Sequence, residues 1–429
     1  MNTLRKAAAS LVTAMAIGLT LTACGTPTSN PSSPTGPSSS SSGPVTLSFW
    51  NVFTGSDGDI LREIVDNYNK TNGKGITINM DIMPNDQLHQ KLSASIATGT
   101  APDFALFGIE YMAPYVSAGS LEDISDFWDA TGVDKTNFLE SVVNFSYVNG
   151  KLYGVPMQYN LSYLYWNKDL FQAAGLDPET PPATLDQLAD FAVKLTVPAK
   201  NQFGLALPVG VSYPQFLWAN GGDVNDPAKG TNLLKSDANL KTLQWMQDLA
   251  VNKKVTPQGV TGPEADVMLQ NGQVAMYMSG PWQINGLRQQ KVNFGIAPIP
   301  AGSAGAFSPA GGCSFMVPKG GDPAKRAAVY DFMKFWLTDS TLKEWSLRNG
   351  FPVWSKSLAA QPDIVNDPVL NSISKASTIG RSYNLGYPLA SRIDGDAVAP
   401  MFEAVLTGGS TPADALAAAS AKLDQILAS

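Results

Sequence analysis

Little in this chain suits it for the commonest kinds of protein chemistry. Among 429 residues there is one histidine, His89, and only two cysteines, Cys24 and Cys313. A lone histidine excludes paired-histidine zinc motifs, and it leaves Ser/His/Asp triads no second candidate. Two distant cysteines exclude CxxC clusters and leave no metal or cofactor motif to expect. His89 falls in NDQLHQKLSASIATG, where Leu88, Leu92 and Ile96 recur at helical spacing, so it is expected on a helix surface. Charged residues make up only 15% of the chain and sum to a formal charge of -7. No stripe of Lys and Arg interleaved with aromatics occurs, which argues against nucleic acid as a partner. Beyond residue 21 no apolar run approaches the roughly 20 residues needed to cross a bilayer as a helix.

What is present begins with Arg5 and Lys6 ahead of an uncharged run, Ala7 to Leu21, the pattern of a secretion signal. The following Leu21-Thr22-Ala23-Cys24 resembles the lipobox of bacterial lipoproteins. That resemblance implies removal of residues 1–23 and diacylation of Cys24 as the new N-terminus. Each buried methylene contributes about 0.8 kcal/mol, and two acyl chains hold a protein on a membrane where one does not. Residues 25–44 are almost entirely Ser, Thr, Pro, Gly and Asn and offer nothing to seed a core. With Cys24 they are expected to form a disordered tether, 24–44, reaching roughly 25 Å as a flexible chain. Loss of 1–23 removes two positive charges and no negative ones, taking the net charge from -7 to -9.

The rest of the chain, with 44% hydrophobic residues overall, is long enough for two lobes. VTLSFWN (45–51), ITINMDI (76–82) and PDFALFG (102–108) read as strands, separated by helices carrying Ile60, Leu61, Ile64, Val65 and Tyr68, and then Leu88, Leu92 and Ile96. Strand, helix, strand, helix, strand implies parallel pairing. Asn149-Gly150 between alternating residues predicts a hairpin turn. Thr184 and Gln187 are spaced as a capping box, YPQFLWANGG reads as a helix ended by glycine, and 236–252 as a long amphipathic helix. VAMYMS, VNFGIAPIP and GGCSFMVPK read as strands, and the tail is helical, with Thr411 as a cap and Pro412 in the first turn.

Several segments carry a family resemblance. LYWNKDLFQAAGLDPETPPATLDQLADFAVKL (164–195), WANGGDV (218–224), NGQVAMYMSGPWQINGLR (271–288) and KVNFGIAPIP (291–300), with LSFWN, ATGTAPD and TGGSTPADAL, resemble the maltose-binding-protein-like extracellular solute-binding proteins of ABC importers. The resemblance implies an α/β, two-lobe, type II periplasmic-binding-protein-like fold. It divides into a first lobe of 45–158 plus 308–345 and a second of 159–307 plus 346–429, with passages near 156–160, 300–312 and 345–352. It implies a lipid-anchored, monomeric protein on the extracytoplasmic face of the membrane that binds a carbohydrate without altering it and hands it to a permease. Carried over by position, Trp282 is the expected stacking ring and Glu110 the expected hydroxyl acceptor. Asn160 lies at a passage, where maltose binders have an acidic residue. Asp86, Tyr159, Tyr213 and Trp218 are further candidates; Gly311 and Gly312 would let a solute approach the backbone; Arg392, Asp394 and Asp396 lie in a loop that contributes to the cleft in relatives.

Arg is the natural bidentate partner of phosphate, so Arg392 keeps an alternative open: a binder of glycerol 3-phosphate or its diesters. Against it, RNGFPV has Phe351 where those proteins are expected to have Tyr, and Trp218 and Trp282 favour carbohydrate. A glycosidase would need two carboxylates about 5 to 10 Å apart. Glu110 and Asp86 could be offered, but any sequence supplies an acidic pair, and no enzyme is expected. A passive adhesin would suit the tether but not the hinged two-lobe pattern.

Overall fold

In the computed structural model, which describes residues 43 to 429, the opening run forms the strand Val45–Asn51, burying Leu47, Phe49 and Asn51 on one side. The signal segment, Cys24 and most of the expected tether lie outside the described residues. Ile76–Ile82 and Phe104–Gly108 pair with Val45–Asn51 on either side, both parallel, with Val45 opposite Ile76 and Phe49 opposite Phe104. Ser308–Met316 returns antiparallel beside Phe104–Gly108 and also pairs antiparallel with Gly154–Leu161. Gly380–Ser382 closes that end of the six-stranded sheet.

The amphipathic helix Ser56–Thr71 buries Ile60, Leu61, Ile64, Val65 and Tyr68 in one core with Leu47 and Phe49. Phe49 stacks on Phe104 with ring centroids 4.3 Å apart, and helix Arg326–Trp336 brings Phe332 and Trp336 into the same core. Burying one such ring contributes roughly 4 kcal/mol or more before ordering costs, so the sheet is a firm base for the loops at its edge.

A second, four-stranded sheet runs Phe294–Ala297, Tyr163–Asn167, Val274–Ser279, Phe203–Ala206. All six residues of VAMYMS are buried, which is why that strand reads as an unbroken apolar run. Its core takes Leu188, Ala192 and Leu195 from the helix Leu185–Leu195, along with Leu243, Met246 and Val405. The Thr184 hydroxyl accepts the Gln187 N–H at 3.2 Å, while the Gln187 side chain takes the N–H of Ala183, one residue earlier than a capping box requires. Thr411 caps Pro412–Leu427 as expected. Asn149 and Gly150, at φ 52° and 77°, make the predicted tight hairpin between Tyr147–Val148 and Lys151–Leu152.

The chain passes between the sheets at Ser162, from Gly154–Leu161 to Tyr163–Asn167, and returns over 298–307 to Ser308–Met316. The two passages are tied together: the Ser162 N–H donates to the Ser308 hydroxyl, which donates to the Ser162 carbonyl, both at 2.9 Å. The third passage falls later than 345–352. Phe351, Trp354, Leu358, Ile364 and Leu370 pack in the core of the first sheet, and Ile373 is the first buried residue beyond them to join the second. Aromatic anchors cause the difference: Phe351 stacks on Trp345 at 5.4 Å and Trp354 meets Phe138 at 4.8 Å. The amphipathic stretch 236–252 also divides, into the α-helix Asp237–Gln247 and a wider π turn, Asp248–Asn252.

His89 is not on an open helix face. Its ring lies 3.8 Å from that of Tyr111, edge-on to Phe107, with Nδ1 3.1 Å from the Tyr115 hydroxyl. Tyr111 and Tyr115, in the segment Ile109–Ser117, lie against the helix Asn85–Thr98 at His89 and Asn85. Burial pushes the imidazole down to about 4, partly offset by the charge of Asp86.

Candidate functional site

In α/β sheets ligands collect beyond the carboxyl ends of the strands, and here Asp57 follows Val45–Asn51, Glu110 follows Phe104–Gly108 and Trp282 follows Val274–Ser279. The lobes also touch: Arg288 Nη1 donates to the Leu347 carbonyl at 2.8 Å, and Ile284 packs against Gly350.

From the first lobe, Asp57 sits in the first turn of the helix that follows Val45–Asn51 and is only 8% exposed. Burial pushes its carboxyl up to about 6, although the N–H groups of its own turn, Gly58 at 2.9 Å among them, favour the charge. Glu110 follows Phe104–Gly108 and folds back over Gly108, where an added Cβ would come within 2.2 Å of Oε1. Solvent reaches it, yet the surrounding walls push its carboxyl up to about 7 by desolvation, and the charge of Asp394 adds to this.

From the second lobe, Trp282 ends the turn after Val274–Ser279 with 37% of its surface exposed. Its ring lies against Gly280, where a Cβ would sit 2.0 Å from it. The Asp266 carboxyl accepts from the Ser279 hydroxyl at 3.1 Å and from the Gln283 amide, and the Trp282 indole lies close enough to favour its charged form. Burial nevertheless pushes Asp266 up to about 6, and the charge of Asp57 across the gap contributes. Asp394 is raised by burial too, with Ser212 and Tyr383 opposing. Asp394 Oδ1 and the hydroxyls of Ser212 and Tyr383 are close enough to influence one another, yet none meets hydrogen-bond geometry with any partner. The Cys313 thiol is raised by burial, and the charges of Glu110 and Asp57 add to this.

The other expected site residues divide. Asn160 has a buried Oδ1 without a partner and faces Gly311 across the strand pair. Tyr159, the adjacent residue in the strand, takes the opposite face; it lies against Phe145 and lines a separate cavity of 450 Å³ with Leu139, Val353 and Ile364. Tyr213 is 3% exposed and gives its hydroxyl to the Pro208 carbonyl at 2.6 Å, so it is a core residue of the second lobe. Trp218, 2% exposed, is no open platform: its indole binds Asp223 at 2.8 Å and the Arg381 guanidinium lies 4.5 Å from its ring centre. Arg392 turns away to the Ser429 hydroxyl at 2.9 Å. Gly312 serves the strand pairing, since a Cβ there would lie 2.3 Å from the Gln158 carbonyl. Asp86 and Asp396 are exposed.

Asp57, Asp266, Ser212 and Tyr383 escaped sequence reasoning. Asp57 was accessible to it, as a first-turn carboxylate beyond the end of a parallel strand. Asp266 lies inside an ordinary amphipathic helix, Gly262–Gln270, and carries no local signal.

The profile of the family described as bacterial extracellular solute-binding protein matches residues 63–371. The chain belongs to this family. Solute-binding proteins of this family serve ABC transporters. Among curated relatives, a binding protein of Brucella abortus is 27% identical over 369 residues, covering 82% of this chain and 86% of its own. The sn-glycerol-3-phosphate-binding periplasmic protein of Pectobacterium atrosepticum is 27% identical over 326 residues, 71% of this chain and 72% of its own. Among solved structures, CpMnBP1 with mannotriose bound superimposes with a TM-score of 0.78 at 28% identity, over 88% of this chain and 100% of that one. A solute-binding protein of Thermotoga lettingae, bound to α-D-tagatose, gives a TM-score of 0.80 at 21% identity over 89% and 99%. These likenesses show the two-lobe type II fold.

Proposed function

We propose that this solute-binding protein captures a carbohydrate between its lobes and presents the closed form to a membrane permease, without altering the solute. The lipobox-like Cys24 would hold the protein, as a monomer, on the outer face of the membrane. The observation that carries the reading is Trp282: an indole packed on Gly280, with 37% of its surface exposed and the buried Asp266 carboxyl close by. A sugar presents C–H faces to a ring and hydroxyls to carboxylates, and Trp282 with Glu110 and Asp57 offers both. Micromolar affinity requires about 8 kcal/mol net. Covering the exposed part of one indole supplies roughly 2 to 3 kcal/mol of that, and hydrogen bonds supply the rest.

The glycerol-phosphate alternative is favoured by the Pectobacterium relative. The cleft argues against it, because Arg392 faces the C-terminus and Arg381 is held by Asp223 at 2.5 Å. Calorimetry with mono- to tetrasaccharides, sn-glycerol 3-phosphate and glycerophosphocholine separates the two readings. A saccharide should bind, and Trp282→Ala should weaken it about 30- to 100-fold with the melting temperature of the unliganded protein unchanged. Binding of the phosphates alone would reverse the assignment.

A further inference from the structure

The amides buried beside the cleft show how this chain pairs such groups. Asn51, fully buried, donates Nδ2 to the Asp81 carbonyl at 3.3 Å and accepts the Phe53 N–H at 3.0 Å. Gln283, equally buried, donates to Asp266 and accepts from the Gln270 amide at 3.0 Å. Asn349 differs. It is 0% exposed, and neither its Oδ1 nor its Nδ2 makes a hydrogen bond; among the described residues no other side chain has two buried atoms in that condition. Leaving a buried polar atom unpaired is costly, and native structures pair nearly all of them.

Asn349 stands at the seam of the two lobes. It ends the helix Asp339–Asn349 of the first lobe, four residues after Trp345 and so on the same face. Trp345 stacks at 5.8 Å on Phe53, in the loop that leads to Asp57, and Arg348 pairs at 2.7 Å with Glu63 of the helix Ser56–Thr71. On the other side Gly350 lies against Ile284, two residues beyond Trp282. The helices Ser56–Thr71, Asp339–Asn349 and Gln283–Gln289 each come within 8 Å of the other two, Cα to Cα. An amide carries donors on one atom and an acceptor on the other. A phosphate dianion, which only accepts, would leave Oδ1 unpaired, and an ammonium, which only donates, would leave Nδ2 so. Two adjacent hydroxyls satisfy both, one donating to Oδ1 while the other accepts from Nδ2. Selection by buried polar groups is steep, because an analogue lacking the hydroxyl leaves them unpaired.

We propose that Asn349 binds a vicinal pair of ring hydroxyls at one edge of the solute and so determines which sugars the cleft accepts. This rests on the carbohydrate reading and narrows it to sugars with an unsubstituted adjacent pair. The test is calorimetry at pH 7 with mono- to tetrasaccharides of glucose, mannose and galactose and with glycerophosphocholine, on the natural protein and on Asn349→Leu, which keeps the bulk and removes both polar atoms. The melting temperature of the unliganded variant should equal or exceed that of the natural protein, since no buried pair is lost. Its affinity for the tightest-binding saccharide should fall by about tenfold or more. Monodeoxy forms of that saccharide identify the pair: removing either of two adjacent hydroxyls should cost the natural protein about tenfold or more and the variant less than about threefold, the signature of direct coupling. Asn349→Ala serves the same comparison if leucine disturbs the fold. Unchanged affinity overturns the proposal, and a lowered melting temperature beside it makes Asn349 a structural amide. A loss of affinity to which no hydroxyl pair is coupled also overturns it, since the residue would then act on closure alone; both results leave the carbohydrate reading intact. Binding of glycerophosphocholine alone, or of no saccharide, removes that reading and the proposal with it.

Discussion

Two single residues expose how finely the cleft is set. Gly280 has no side chain because the Trp282 ring occupies its place, 2.0 Å from where a Cβ would stand. Gly280→Ala should therefore tilt the ring and weaken solute binding nearly as much as Trp282→Ala, while calorimetric unfolding of the unliganded protein changes little. Unchanged affinity would mean that the ring does not touch the solute. Asp57 offers a test by pH. Its folded carboxyl is raised to about 6 from a model-compound value of 3.8, by burial above all. A raised acid holds its proton longer in the folded state than in the unfolded, so its stability contribution is lost as pH rises from about 4 to about 6. Asp57→Asn keeps the oxygen that accepts the Gly58 N–H and removes the charge. In urea denaturation the variant should gain on the natural protein by ~2 to 3 kcal/mol across that window, at ~1.4 kcal/mol per pKa unit, and hold the gain above it. Comparing the two proteins is essential because His89, lowered to about 4, gives the opposite slope in both. A gap that stays constant with pH would show that Asp57 ionises as freely folded as unfolded.

At the scale of elements, legibility followed local pattern. Val45–Asn51, Ile76–Ile82 and Val274–Ser279 match their sequence segments to the residue, and the Asn149-Gly150 hairpin and the Thr411 cap are where turn and cap chemistry place them. Trp282 and Glu110 could be placed beyond strand ends because each follows a recognisable strand, Val274–Ser279 and Phe104–Gly108. Tyr159 and Tyr213 were not: which way a strand's two faces turn is decided by tertiary neighbours, and the Tyr213 hydroxyl folds back onto the Pro208 carbonyl of its own loop, a contact no local pattern announces. The third passage failed for a related reason. Residues 351–370 carry no apolar periodicity that names a lobe, and only the contacts of Phe351 and Trp354 assign them. That assignment predicts a large effect at one position. Trp354 is 3% exposed, so Trp354→Ala should cost ~3 to 5 kcal/mol in urea denaturation. A loss below about 1 kcal/mol would place the segment outside the core.

For the whole molecule the question is what sets the balance between open and closed. A solute drives closure only through its tighter binding to the closed form, and the apparent affinity falls with the fraction of protein able to close. Part of that fraction depends on contacts the solute never makes. Arg288 is one: it lies on the helix Gln283–Gln289 of the second lobe and donates to the Leu347 carbonyl of the first, at an exposed edge. A hydrogen bond with a charged donor is worth ~1.5 to 3 kcal/mol at best, and less where water competes. If the closed form is the minority without solute, Arg288→Ala should weaken apparent binding by about 3- to 10-fold while every contact in the cleft stays as it was. Small-angle scattering distinguishes this from damage to the site. The variant should need more solute to reach its compact state, but at saturation its radius of gyration should equal that of the natural protein. If affinity is unchanged, the edge contact forms too late or too weakly to bias closure; a different saturated radius would mean that Arg288 shapes the closed form itself.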